Sequence, residues 1–531
     1  MATVDRPTTA ATRMSVATLA SRGIGFARVW VIAAVLGTTF LGNAYQSSSS
    51  VSNVLFELLA AGALSAVLVP TFVQLLDVGD DREAERLASG LLGLALAVMG
   101  VVCVVGVVFA PQIAELLSSG VRDPHVEQQQ IALSTFLLRF FVPQVLLYVL
   151  GTVATAILYA QRRFVVTAMA PIANTVMVVS ALIVFRLVAG PDPGLDLTLG
   201  EKLILAFGGL LGVAGFVGVP VVALIRSGFS FRPRLMRPDG PLRNLLHLSA
   251  WAVLQHAGIG ILLGTAIVMG NRVEGGTIAY QFAFVAFMAA YSILAQPVHT
   301  TILPDIALDA NRGDTAEFAD RVRWALDRMA ILVLPVSAAY LALALPAMNA
   351  IAPGSSNPKL LAAALASLGV GLFVYSGFLL LARAFYALGD SRTPALIALG
   401  AALVGSAIEI AGVLSVDGDT ARVAMLGVGH SSAYFVGAVV LFVLLRVRLG
   451  HALFPGSFWR ALLLSAVLGG GAWAVERAVA PHERLETMGV LLVIGAIGLV
   501  FYVAMLRVLP KRAAEREAAL EPTDPDLAVE L

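Results

Sequence analysis

Five arginines stand inside stretches of this chain that are otherwise apolar: Arg22, Arg28, Arg139, Arg328 and Arg383. A charge held within hydrocarbon costs at least about 2.5 to 3.5 kcal/mol, so such a residue faces a cavity, a partner or the interface. Arg28 lies near the middle of RGIGFARVWVIAAVLG, with Arg22 six residues before it. On a helix that spacing is about 9 Å along the axis and about 120° around it, so the two do not share one stripe. Glu57 lies in the next apolar run, with Asn53 four residues before it on the same face. Two readings of this group stay open. Arg28 and Glu57 form a structural ion pair, or Arg22 and Arg28 line a cationic cavity that Glu57 tunes. A guanidinium suits a diphosphate because it stays charged and donates paired hydrogen bonds.

Other polar groups are more scattered. Arg139 either snorkels to the interface or enters the cavity, while Arg328 and Arg383 read as anchors at helix ends. Glu409 is isolated in LVGSAIEIAGVL, where it is either a quiet hydrogen-bonded group or a site for a coupling proton or cation. Gln255, His256, Gln281, Gln296 and His299 add polar groups to the seventh and eighth apolar runs. For the histidines, an interhelical hydrogen bond competes with a pH switch. No HExxH, no GxxxxGK[ST] and no Ser-His-Asp arrangement is found, and the lone Cys103 has no disulfide or metal partner. No cofactor or metal is implied, and the chain is not expected to be an enzyme.

The elements that carry these residues are membrane helices. Hydrophobic residues make up 59% of the 531 and charged residues only 13%, about half the share of a soluble chain. That excludes a cytosolic catalytic domain and a charged nucleic-acid-binding domain. Apolar windows predict about fourteen spans: 15–37, 47–76, 88–109, 131–160, 165–188, 203–225, 246–269, 277–303, 325–350, 360–388, 394–415, 423–445, 459–479 and 486–506. The first has no small-residue cleavage site and reads as a helix that stays. With the N-terminus inside, most Lys and Arg fall in cytoplasmic segments, so both termini are expected there.

The second and eighth windows end with related wording, LVPTFVQLLDVGDDRE (68–83) and ILPDIALDANRGDTAE (302–317). Pro70, Gly79, Asp80 and Glu83 match Pro304, Gly313, Asp314 and Glu317 at one offset. Six spans separate the matches, which predicts parallel repeats with a site between them near the midplane. The expected architecture is all-α and integral to the membrane. It comprises a cytoplasmic segment (1–14), an N-lobe of six spans (15–226), a cytoplasmic linker (227–245) and a C-lobe of six (246–446). Two further spans (447–508) and a cytoplasmic tail (509–531) complete the chain.

The wording is also specific. ATLASRGIGFARVWVIAAVLG followed by SNVLFELLAAGALSAVLVPTF resembles the opening of the MurJ/MviN family. AILYAQRRFVVTAMAPIANT (156–175) and FYALGDSRTPALIA (385–398) resemble that family's fourth-to-fifth and tenth-to-eleventh links. These families of bacterial flippases carry the lipid-linked peptidoglycan precursor and belong to the multidrug/oligosaccharidyl-lipid/polysaccharide exporter superfamily. The resemblance implies a V-shaped pair of lobes, a cationic central cavity, and a groove beside the last two spans for a polyprenyl tail. Ser21, Arg22, Arg28 and Asn53 match family positions, and the two arginines match ones regarded as functionally important. Asn43 stands at an acidic position, Phe56-Glu57 at a basic pair, Ala61 at an acidic residue, and AYQFAFVAFMAAY replaces a charged stretch of the eighth span.

The leading expectation is a flippase that moves a polyprenyl-diphosphate-linked cell-wall precursor, lipid II first, across the bacterial cytoplasmic membrane by alternating access. Substrate would meet Ser21, Arg22, Arg28, Asn53 and Glu57, with Arg139, Asn43, His256 and Gln281 as further cavity residues and Glu409 as the ion or proton site. The expected partners are the lipid-linked oligosaccharide, membrane lipids and cell-wall synthesis proteins, with no nucleic acid and a monomeric chain. The alternatives are a flippase for another lipid-linked glycan, or a non-transporting scaffold for cell-wall assembly.

Overall fold

The computed structural model describes residues 23–56, 72–73, 75–76, 80–161, 163–229, 232–235, 240–481 and 483–508. Among them the regular structure is helical, without a strand. Among the described residues eleven helices are long and apolar enough to cross a membrane, or twelve if one bent pair is a single span. The expected fourteen adds the first two windows. Of these the structure describes only α1 (Gly23–Leu36), α2 (Phe40–Phe56) and a few residues beyond.

Helix starts follow from local chemistry. The matched Gly-Asp wording turns out to be a pair of equivalent caps. Asp80 Oδ1 accepts from the Glu83 amide at 3.1 Å to begin α3 (Asp81–Val108). A short α4 (Ala110–Ser118) follows at once. Asp123 caps α5 (Pro124–Phe141), whose first residue is a proline with no amide hydrogen to satisfy. The chain breaks at Val142–Pro143 before α6 (Gln144–Ala160), so the predicted fourth span is interrupted and starts earlier than residue 131. Next come α7 (Phe164–Ala189) and α8 (Leu199–Arg226), the latter opened by a Thr198–Glu201 capping box. In the linker, the backbone amides of Arg232 and Arg234 donate to Ser89 Oγ and O, tying this segment to α3.

The second half begins with α9 (Gly240–Gly270). The predicted eighth span is two helices, α10 (Gly276–Leu294) and α11 (Gln296–Arg312), parted at Ala295 just before Pro297. Asp314 Oδ1 accepts from the Glu317 amide at 3.0 Å, repeating the Asp80 cap, and opens α12 (Thr315–Ile351). The predicted tenth span is bent by 45° between α13 (Pro358–Val370) and α14 (Leu372–Ala387). Gly371 at the bend presses on Ser431, where a Cβ would collide. Then follow α15 (Arg392–Ser415), α16 (Asp419–Leu449), α17 (Phe458–Val479) and α18 (Arg484–Val508).

Packing repeats in both halves: α7 lies along α8, with α6 also against α8, and α15 lies along α16, with α14 also against α16. The last two helices attach to α12. Most of α18 faces outward, with Leu485, Leu492 and Val500 at 70–80% exposure, a surface that lipid and not water must solvate. Cys103 is packed inward against Val142.

Candidate functional site

Ser21, Arg22 and Glu57 lie outside the described residues, so the structure speaks for the arginine cavity through Arg28. Arg28 is half-buried on α1, and its Nη1 donates to Asn174 Oδ1 of α7 at 2.7 Å. Its Nε is buried with no partner among the described residues. An amide fixes the guanidinium in place, and among the described residues no carboxylate pairs with it. Around it stand Tyr45 of α2 and Tyr148 of α6, both within electrostatic reach of the charge. The Tyr148 hydroxyl donates to Asn53 Oδ1 at 3.0 Å, which brings the predicted Asn53 into the same group. Gln281 of α10 enters from the other half, its Nε2 donating to Ser50 Oγ at 3.4 Å. Nearby, Phe26 and Phe282 meet edge to face at 5.3 Å.

Other predicted residues stand elsewhere. Arg139 is exposed on α5, and Arg328 is exposed over the Trp324 ring at 5.4 Å. Arg383, expected as an end anchor, has its Nη1 buried without a partner among the described residues. His256 lies on α9 two residues before Gly258, which packs on Ala398 of α15. Glu409 is completely buried in α15. Asn43 is 0% exposed and does not line an open cavity. Its Nδ2 donates to Val273 O at 2.8 Å, and its Oδ1 accepts from the Thr277 amide at 3.1 Å, so it caps α10 across the two halves.

That cap belongs to a seal between the lobes. Ser47 Oγ donates to Asn271 Oδ1, and Asn271 Nδ2 donates to Leu117 O. Trp30 Nε1 donates to Ile351 O at 2.7 Å. Ser355 and Ser356 hydroxyls donate to Ala33 O, and the Asn357 amide donates to Thr38 Oγ1 at 2.7 Å. Gly37, with φ of +67°, lets the chain turn under Ser355. The cross-lobe hydrogen bonds thus gather at the end holding the α1–α2, α9–α10 and α12–α13 turns. The Arg28 group lies deeper, beneath this seal.

Tyr45, Tyr148 and Asn174 were not singled out from the sequence. The signal for Asn174 was an amide in mid-run (PIANTVMVV), and the tyrosines look like ordinary apolar-helix residues until α1 is placed beside them. No group of three or more His, Cys, Asp or Glu gathers among the described residues.

Two helical lobes closed on each other at one end, with a half-buried arginine held by an amide between them, define a membrane carrier of the two-lobe exporter type. The family model "MurJ: Lipid II flippase MurJ" matches residues 32–495, and the chain belongs to that family. It is 27% identical over 467 residues to the probable lipid II flippase MurJ of Rhizobium tropici, covering 86% of this chain and 84% of the relative. It is 25% identical over 511 residues to the lipid II flippase MurJ of Burkholderia cenocepacia, covering 93% and 95%. Among solved structures, a lipid II flippase MurJ in an inward closed conformation superposes with a TM-score of 0.73 at 16% identity, covering 93% of this chain and 99% of that one. An inward-facing multidrug-resistance MATE transporter superposes at 0.62 with 14% identity, covering 83% and 98%. At these identities the two superpositions speak for the fold.

Proposed function

We propose that this chain moves lipid II across the cytoplasmic membrane by alternating access, breaking no covalent bond. Arg28, with Arg22, holds the diphosphate. The observation that carries this is the Arg28 environment: positioned by an amide, flanked by phenols, with Nε unpartnered among the described residues beneath a closed end. A structural arginine is normally met by a carboxylate, whereas one left with spare donors is ready for an anion. Ser21, Asn53 and Glu57 complete the proposed contact set, with Gln281 facing it from the C-lobe. With both termini cytoplasmic, the sealed end faces outward and the cavity is loaded from inside. The boundaries 15–226, 246–446 and 447–508 are the corresponding units of motion and support.

In proteoliposomes, Arg28→Ala should lower lipid II flipping by about 10- to 100-fold, the worth of one or two charge-assisted hydrogen bonds. Arg28→Lys should recover part of it, since an ammonium keeps the charge but loses the paired geometry. Undiminished flipping by a folded Arg28→Ala protein removes Arg28 from the site. A second reading, another polyprenyl-diphosphate glycan as cargo, is favoured by the apolar surface of α10, where Gln281 stands among Phe282, Phe284 and Val285. Competition among polyprenyl-diphosphate lipids with different sugars decides between the two cargoes.

A further inference from the structure

We infer that the cleft over the lobe seal binds a cationic amphiphile, an ammonium or guanidinium on an apolar body, and holds it only while the lobes are closed. The cleft encloses about 340 Å³, within the range of small-molecule sites. Buried Val35, Leu36 and Leu41 line its depth. Two exposed carboxylates, Asp192 and Glu274, line it nearer solvent. Its walls come from both lobes. One side is built by α1, α2, α5 and the α7–α8 loop, and the other by Glu274 of the α9–α10 turn and Ser355 of the α12–α13 turn.

The charge of the cleft has one sign. No basic side chain among the described residues lines it. Arg272, two residues before Glu274, lays its guanidinium on Gly120 instead, where a Cβ would come within 2.6 Å of its Cζ. The acidic wall is also preformed. Asp192 stands between Pro191 and Pro193, whose rings fix the backbone, and the loop is tied down beyond them by Leu195 and Leu197 packed on the core. A ligand therefore meets a site with little left to order. Carboxylates over an apolar depth select a cation joined to hydrocarbon and repel a phosphate. A bare divalent ion is a poor match, because it needs about six oxygen ligands and no third His, Cys, Asp or Glu joins the two acids among the described residues.

The cleft and the seal share residues. The Ser355 hydroxyl donates to Ala33 O and Ala34 O, its carbonyl accepts from the Thr38 amide at 3.4 Å, and Gly37 turns beneath it. Parting the lobes at this end carries Glu274 and Ser355 away from Asp192 and the α1–α2 turn, which divides the cleft. An occupant thus has affinity for the closed form and none for the open one, and by linkage it favours closure. It stops the cycle from the sealed side without entering the Arg28 cavity. The block on transport rests on the flippase reading; the binding site does not.

Titration of the full chain in nanodiscs with arginine β-naphthylamide, followed by naphthyl fluorescence, tests the site without any transport assay. N-acetylalanine β-naphthylamide is the uncharged control. Wild type should bind the cationic probe saturably and the control at least about 10-fold more weakly. Asp192→Asn/Glu274→Gln, which keeps both side-chain shapes, should weaken binding of the cation about 10- to 100-fold. Should the double variant misfold, Asp192→Asn alone should still weaken it several-fold. The bound probe should also slow amide hydrogen exchange over 33–41 and 353–357, the two sides of the seal. No saturable binding, equal binding by wild type and the carboxamide variants, or unchanged exchange at the seal overturns the inference. In proteoliposomes, saturating probe on both faces should then slow flipping by wild type and not by the double variant. Undiminished flipping with the probe bound overturns the block and leaves the flippase reading intact, whereas wild type that does not flip without probe overturns that reading and leaves the site.

Discussion

Asn43 shows how one side chain can be read correctly as unusual and wrongly as to place. The family resemblance marks this position as acidic, which suggested a cavity residue. The structure supplies a reason for the amide: its Nδ2 donates to a carbonyl, Val273 O, while its Oδ1 caps the α10 amides. A carboxylate has no donor for that carbonyl. Asn43→Asp should therefore lower the melting temperature of the purified protein, and Asn43→Ala should cost about 1–3 kcal/mol by stranding both partners. An Asp variant as stable as wild type contradicts the cap. A second residue-scale prediction concerns Asp390, in the turn before α15. Burial pushes its carboxyl up, but the Thr393 amide and hydroxyl and the Arg448 guanidinium outweigh it and hold it below the usual carboxylate range. A depressed folded value means the contribution is fully present above the unfolded value and lost as pH falls through the folded one. Arg448 is 43% exposed, so the effect is small. Stability of wild type should fall more steeply than that of Asp390→Asn as pH drops below about 4. Parallel pH profiles would rule this out.

At the scale of elements, the most legible feature was the repeated Gly-Asp-x-x-Glu wording, and its physical meaning is a helix cap used twice. Asp80→Ala and Asp314→Ala should each cost about 1 kcal/mol, and Asn at either position should restore most of it. Thermal unfolding of the four variants checks this; an Asn no better than Ala removes the cap from the explanation of the repeat. Windows of apolar residues located most helices, because in a membrane the backbone must satisfy itself and long helices are the remaining solution. They did not locate the breaks at Pro143, Ala295 and Gly371. A proline in an apolar run ends a helix, kinks it or is absorbed, as Pro171, Pro220 and Pro335 are, and only the neighbours decide. Of the site, the charges were legible since each is costly in hydrocarbon. Asn174, Tyr45 and Tyr148 were not, because their roles exist only once helices from distant parts of the chain are side by side.

At the scale of the molecule, the two lobes meet through a seal at one end and a thinner contact deeper down, where Gln281 reaches Ser50. Most of the seal's acceptors are backbone carbonyls, such as Ala33 O and Ile351 O, and the Asn357 amide is a backbone donor. Such groups exert the same pull in many sequences, so the closure did not have to be written in conspicuous residues. If transport requires this end to open, holding it shut must stop the cycle without touching the cargo site. The Asn357 amide already bonds the Thr38 side chain, so cysteines at these two positions are near enough for a disulfide or a short bismaleimide to join them. The native Cys103 is buried and can be replaced by alanine in the same chain to leave the pair as the reactive thiols. In proteoliposomes the joined Thr38→Cys/Asn357→Cys protein should lose flipping nearly completely while still binding the diphosphate lipid from the open side. Reduction of the disulfide should restore flipping. A joined protein that flips at the unjoined rate would mean that the lobes need not part here, and that the cargo crosses by a route other than this end.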